Sequence, residues 1–293
     1  MPTAPSPDKA APSSAVKLKG RPERAALDRA YRVSAPQKFA LSQHDPADQR
    51  FFPDKDAARA SAGEDAEAID QLQDRLFAEG KRALLVVLQG MDTSGKDGTV
   101  RGVFNACGPL GVRVTGFGRP SEEELAHDFL WRVHRVVPGK GMIGVFNRSH
   151  YEDVLVVKVR NLVPAEVVEA RYEQINAFEK MLVQTGTTIL KFKLHISQVE
   201  QGERLRERLI QPDKRWKFNP GDLEDRKLWA SYTDAYQTAI ARCSTPHAPW
   251  YVIPADSKTR RNAIIARIVR TTLEAMNPVP RDPGYRPEQF AIV

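Results

Sequence analysis

The ten residues from Gly90, GMDTSGKDGT, combine glycines, a lysine and two carboxylates in a pattern suited to phosphate. Gly90 to Lys96 fits the GxxxxGK phosphate-loop pattern, and the apolar run ALLVVL before it reads as a buried strand. The glycines let backbone N–H groups turn inward around phosphate oxygens, and a helix starting there adds partial positive charge. Gly90, Ser94, Gly95, Lys96, Gly98 and Thr99 are the candidate phosphate-binding residues, with the Lys96 ammonium lying across two phosphates. A plain glycine turn between strand and helix is the competing explanation. Two features depart from an ordinary loop of this kind. Asp97 stands where Ser or Thr would bind Mg²⁺. Asp92 lies inside the loop, where a carboxylate beside phosphate is repulsive unless a divalent cation sits between them. Mg²⁺ takes carboxylate and phosphate oxygens together, which makes Asp92 the first metal candidate. Asp97 serves either as a ligand or as an acid against the helix dipole.

A second strand, MIGVF, ends in Asn147-Arg148-Ser149-His150-Tyr151-Glu152-Asp153. Asn147 stands where an Asp would be expected to hold Mg²⁺, and Glu152 or Asp153 could restore the missing negative charge. Arg148 can grip phosphate in a bidentate fashion and stabilise charge on a phosphoryl group in flight. Its alternative is an ion pair with Glu152 or Asp153. His150, beside Tyr151, reads as a packed residue. Further on, ERLRERLIQPDKRWK places Arg204 and Arg208 four apart on one helix face, with Arg206 turned away and Lys214, Arg215 and Lys217 beyond Pro212. Taken alone this is a solvated amphipathic helix. After the fourth strand of a kinase sheet, it is where a mobile basic lid would cover the transferring phosphate. Pro212 and Asn219-Pro220-Gly221 are the expected hinges.

These segments need a scaffold that brings strand ends together. Apolar runs at 83–88, 112–115, 142–146, 187–194 and 250–253 alternate with helical patterns. One helix is expected to open at a Ser121–Glu124 capping box and run through Trp131 and His134, and a long one from Pro164 to near Gly186. Another starts at Ser197 with Glu200, a fourth spans Leu228 to Ile240, and a closing one carries Ile264 to Leu273. Regular patterning begins near Glu64. The expected fold is α/β: a doubly wound, mostly parallel five-stranded sheet with helices on both faces and a helical lid around 197–222. In such sheets the ligand sits beyond the carboxyl ends of the strands. Residues 1–40 read as a separate N-terminal arm, disordered over 1–16 and basic over 17–38, ahead of one domain at 41–293. By default the arm is a solvated tail, with contact to an anionic ligand the alternative.

Composition narrows the function classes. The 293 residues carry 44 Lys and Arg against 37 Asp and Glu, a net charge of +7. That excess suits a polyanionic partner or serves solubility alone. No stretch approaches the ~18 apolar residues of a membrane span. The first 20 residues lack a secretory apolar core. Cys107 and Cys243 cannot form a disulfide framework, so a cytoplasmic setting is expected.

Taken together, GMDTSGKDGT, FNRSHYEDVLV, LHISQVEQGERLRERLIQPDKRWKFNPGD and STPHAPWYVIPADSK resemble, in this order, the motifs of the type-two polyphosphate kinases. The resemblance spans about Gln73 to Pro280. It implies a P-loop kinase fold and Mg²⁺-dependent (Mn²⁺ is also suited), reversible transfer of the terminal phosphoryl group of inorganic polyphosphate to a nucleotide, adenine or guanine. The NRSxYEDVL form looks like the subgroup that phosphorylates both AMP and ADP, whereas the diphosphate-type motif resembles FDRSWYNR. Carried over position by position, the resemblance assigns phosphate, catalytic and metal work to Asp92, Lys96 and Arg148. It assigns a nucleotide-side role to Asn147 and Glu152, with Glu152 also a metal candidate, and lid or polyphosphate contacts to Arg204, Arg208 and Lys214. The family is commonly oligomeric, so a homo-oligomer, dimer or tetramer, is expected. Two rival readings remain, the first using the same phosphate loop and the second the basic arm. One is an ATP-dependent P-loop kinase of a small metabolite or nucleotide. The other is a non-enzymatic nucleic-acid-binding protein, against which the chain shows no nucleic-acid motif and few aromatics among its cations.

Overall fold

The computed structural model describes residues 22–290. Residues 1–16, expected to be disordered, lie outside that range, as do Lys17, Lys19 and Arg21 of the basic arm. Five strands form one sheet: β1 (Ala83–Gln89), β2 (Val112–Gly116), β3 (Ile143–Asn147), β4 (Thr187–His195) and β5 (Trp250–Pro254). Their order is β2-β3-β1-β4-β5, and every neighbouring pair is parallel. β1 is central and buried along all seven residues, as its unbroken Val/Leu run requires. The chain crosses from β1 to β2, returns to β3 beside β1, then passes to β4 on β1's other side. The order therefore reverses at β1, and a ligand crevice opens at its carboxyl end.

Eight helices of seven or more residues surround the sheet among the described residues. They are α1 (Arg24–Tyr31), α2 (Lys55–Glu79), α3 (Lys96–Val103), α4 (Ala165–Gln184), α5 (Gln198–Ile210), α6 (Gly221–Lys227), α7 (Trp229–Cys243) and α8 (Lys258–Met276). None is long and apolar enough to cross a membrane. α2 begins nine residues before Glu64. Its first turns bury Ala58, Ser61 and Ala62, small residues that let it lie close along α8 but carry little hydropathy signal. Asp54 caps it, its side chain accepting the Asp56 and Ala57 N–H groups, and Gly80 ends it at φ +63°.

The helix expected from Ser121 through His134 is instead two single turns, Glu122–Leu125 and Trp131–His134. The Ser121–Glu124 capping box is present. Beyond it, Asp128 Oδ1 accepts the Leu130 N–H at 2.9 Å, an Asx turn that diverts the backbone.

The N-terminal segment also differs from a solvated arm. From Arg24 it forms α1, whose Leu27 and Tyr31 join the core together with Val33. Arg24 donates to Ile268 O, Thr272 Oγ1 and Tyr251 Oη. The Val33 N–H bonds Trp250 O, covering the free edge of β5. Residues 24–33 therefore belong to the same folded unit as the sheet. Three apolar residues among many cations were too sparse a pattern to reveal it.

Candidate active site

The phosphate loop leaves β1 at Gly90 and enters α3 at Lys96. Gly90 lies where a Cβ would meet Ser94 Oγ at 2.5 Å and Leu194 O at 2.8 Å, so no larger residue fits. Thr93 and Gly95 take left-handed backbone, at φ +64° and +99°, which curls the loop around its own centre. The hydroxyls of Thr93 and Ser94 are buried without a hydrogen-bond partner. Burying polar atoms unpaired is costly unless a ligand completes them, and phosphate oxygens would do so. Lys96 is buried rather than exposed, its Nζ donating to Gly90 O at 2.8 Å. Burial, followed by the neighbouring Arg148, lowers its pKa. An arriving phosphate would supply the counter-charge that favours its ionised form. Thr99 does not face the ligand space, since its hydroxyl donates to Gly95 O at 3.1 Å.

A cavity of about 700 Å³ opens beyond the loop. The loop itself forms one wall. Asn147, Arg148 and the Gly116-Phe117-Gly118 end of β2 form another. Arg208, Lys214, Lys217 and Lys258 stand on the far side, with Trp216 at the rim. Arg148 has φ +64° at the carboxyl end of β3, and its guanidinium bonds Asp92 Oδ1 at 2.7 Å and lies 3.7 Å from Glu152 Oε2. Burial works against its charge, but Glu152 and Asp92 more than restore it. Asp153 is engaged elsewhere, near Arg132 and Arg171. Glu152 does not line the main cavity. It borders a recess of about 40 Å³ behind Arg148, shared with Tyr232 and Tyr236. Burial raises its pKa despite Arg148 and Lys96. Asn147 Nδ2 donates to Asp97 Oδ1 at 2.6 Å, so these two residues engage each other.

His150 is fully buried, its Nε2 3.3 Å from Glu179 Oε1. Glu179 also accepts from Tyr151 Oη and Lys191 Nζ. This internal network holds the turn His150–Val154 that follows Arg148.

The basic segment divides in two. Arg204 is 5% exposed and its guanidinium is committed: Nε to Glu200, Nη1 to Thr93 O, Nη2 to Ala255 O and Asp256 O. It clamps the phosphate loop to the end of β5 instead of standing free on a lid face. Arg208 donates to Lys217 O and Asp222 Oδ2, both at 3.1 Å, and Lys214 bonds Glu207 at 2.5 Å. All three line the cavity; what sets Arg204 apart is that its guanidinium is already committed to the loop.

Lys217, named with the basic lid segment, lines the cavity too, as do Asp222, Arg261 and Lys258, none of which was a sequence candidate. Asp222 closes the FNPGD stretch, which did carry a resemblance signal. Lys258 ends PADSK, which carried one too. Arg261 has no motif of its own. Burial, then the facing Asp92, pushes the Asp222 carboxyl up to about 6. A divalent cation between Asp92 and Asp222 would remove that repulsion. Among the described residues no three His, Cys, Asp or Glu side chains converge as a closed metal cage. Two carboxylates facing a phosphate site are nonetheless the donor set Mg²⁺ uses, with phosphate oxygens and water filling the remaining positions.

The family model described as Polyphosphate kinase 2 (PPK2) matches residues 53–281. The chain is 53% identical over 263 residues to an AMP/ADP-polyphosphate phosphotransferase of Meiothermus ruber, covering 89% of this chain and 98% of that protein. It is 37% identical over 258 residues to an ADP-polyphosphate phosphotransferase of Rhodopseudomonas palustris, covering 84% and 89%. The crystal structure of polyphosphate kinase 2 from Arthrobacter aurescens superposes with a TM-score of 0.85 at 40% identity, covering 88% of this chain and 92% of that one.

Proposed function

The chain belongs to the polyphosphate kinase 2 family, and on that premise we propose that it transfers the terminal phosphoryl group of inorganic polyphosphate to AMP and then to ADP, with Mg²⁺. The observation that carries this reading is the cavity itself. A phosphate loop faces Arg208, Lys214, Lys217 and Lys258 across one continuous space. Polyphosphate carries about one negative charge per unit, and a row of cations recruits such a chain by counterion release. One bound triphosphate would leave part of that row unused.

The chemistry follows from the residues. The acceptor is a phosphate oxygen, already ionised, so no strong general base is required, and alignment and charge neutralisation dominate. Lys96 exchanges the carbonyls of Gly90 and Met91 for phosphate oxygens. Arg148 exchanges Asp92 for the phosphoryl group in transit, which leaves Asp92 free to face a cation. Asp92 and Asp222 would hold Mg²⁺, which supplies charge neutralisation between donor and acceptor phosphates. Arg208 and Lys214 steer the polyphosphate, while Arg204 keeps the loop in place. Asn147 and Glu152 act on the nucleotide side by fixing Asp97 and Arg148.

Action on both AMP and ADP rests on the NRSHYEDVL motif and on the similarity to the Meiothermus protein named for both nucleotides. A time course with AMP, polyphosphate and Mg²⁺, but no ATP, tests it. ADP should appear first and ATP after it. ADP that accumulates without ATP would restrict the enzyme to monophosphates. No product here, and none when ADP replaces AMP, would refute the reading.

A further inference from the structure

Arg261, on the first turn of α8, is 1% exposed, and among the described residues no carboxylate lies within ion-pair distance of it. Its Nη1 donates to Ser94 O at 3.0 Å, and Nε and Nη2 share Asn262 Oδ1. Its guanidinium packs closely against the loop. A Cβ at Gly95 would fall 1.9 Å from Nη1, and one at Gly98 would fall 3.2 Å from Nη2. The glycine at position 95 therefore answers two demands, the left-handed backbone and the close approach of this arginine. Burial, reinforced by Arg204, pulls the guanidinium down to about 9 from its ordinary 12.5. Burying a charge without a counter-charge is expensive, and proteins tolerate it where a ligand supplies the partner.

The orientation of the contact adds a second point. In a trans peptide the C=O and the next N–H point in opposite directions. With Ser94 O held by Arg261, the rotation of the Ser94–Gly95 peptide, and with it the direction of the Gly95 N–H, is fixed beside the cavity that Gly95 and Arg261 both line. A cation on the carbonyl also polarises that peptide and strengthens its N–H as a donor. Arg204 grips the preceding carbonyl, Thr93 O, at 2.9 Å, but it has Glu200 as its counter-ion.

We propose that Arg261 is a positioning residue for phosphoryl transfer: it orients the Ser94–Gly95 peptide toward the bound phosphate and supplies a buried positive charge that this phosphate neutralises. The inference rests on the polyphosphate reading of the cavity and extends it to a residue outside every phosphate-loop motif.

The test uses the full chain as wild type, Arg261→Met and Arg261→Lys. Binding of inorganic tripolyphosphate with Mg²⁺, in the absence of nucleotide, is read by calorimetry and by the shift it produces in Tm. Steady-state transfer to AMP and ADP is measured separately. Arg261→Met should weaken tripolyphosphate binding by ~10-fold or more and lower kcat by ~10–100-fold, as expected for loss of one preorganised charge. Its unliganded Tm should stay near or above wild type, because an unpaired buried charge has gone. Arg261→Lys should recover much of the binding through its charge, but not kcat, because an ammonium lacks the fork that holds both Ser94 O and Asn262. An Arg261→Met protein that binds tripolyphosphate as wild type does would overturn the inference. Should that variant fail to fold, wild-type kcat in Arg261→Lys would overturn the orienting role. Wild type that binds tripolyphosphate yet transfers nothing would refute the proposed activity and leave the role of Arg261 in phosphate binding standing.

Discussion

Asp222→Asn should stabilise the unliganded protein at neutral pH, although it removes the partner of Arg208. The Asp222 side chain is 10% exposed, faces Asp92, and is pushed up to about 6 from an ordinary 3.8. An acid whose folded pKa is raised binds its proton more tightly in the native state. Its ionisation therefore opposes folding: the penalty is absent below about pH 4, grows between about 4 and 6, and is complete above 6. Such a rise corresponds to about 3 kcal/mol against the folded state at pH 7.5. Asn resembles the protonated acid, so the variant should escape that penalty and melt roughly 3–6 °C higher at pH 7.5. Its stability should also fall less than that of wild type as pH rises from 4 to 6. Mg²⁺ should reverse the ranking, since a cation between two ionised carboxylates gives wild type a stabilisation the variant lacks. Thermal melts of both proteins at pH 4–8, with and without Mg²⁺, measure all three effects. Equal Tm at pH 7.5 together with equal Mg²⁺ shifts would show that Asp222 and Asp92 do not share a cation site.

Lys96→Ala should lower kcat by ~10²–10³ or more with the fold retained, checked by coupled ATP formation and far-UV circular dichroism; near-wild-type turnover would remove Lys96 from the chemistry. Arg208→Gln should raise the KM for polyphosphate and flatten the dependence of log(kcat/KM) on log[salt], because one fewer cation meets the chain of phosphates; an unchanged salt slope would mark Arg208 as a partner of Asp222 alone. Glu179→Gln should cost about 3–5 kcal/mol in urea unfolding, since it leaves the buried Lys191 ammonium unpaired. Burial disfavours ionised Glu179, but Lys191 and His150 overcome that and hold it below its ordinary range, so the contribution of this carboxylate is present at neutral pH and lost on acidification. A variant as stable as wild type at pH 7 would mean the network is dispensable.

Much of the site was legible in the chain because a phosphate loop is built from contiguous residues. Gly90, Gly95 and Lys96 needed only the strand before them and the helix after them, and both form where their patterns fall. The same holds for the parallel sheet, since five apolar runs separated by helices leave few other arrangements. Tertiary structure alone decided what depends on long sequence separations. Arg204 and Arg261 both grip backbone carbonyls of the loop, and a carbonyl acceptor carries no signature because every residue has one. Asp222 faces Asp92 only because the fold lays FNPGD across the mouth of β1's crevice. Whether Lys96 was buried, whether Asn147 faced metal or Asp97, and whether Leu27 lay in a tail or in the core were each settled by neighbours more than forty residues away or by packing. The sequence determined which residues could do phosphate chemistry. The strand order of the sheet determined which of them line the cavity beyond β1 and which hold the loop in place.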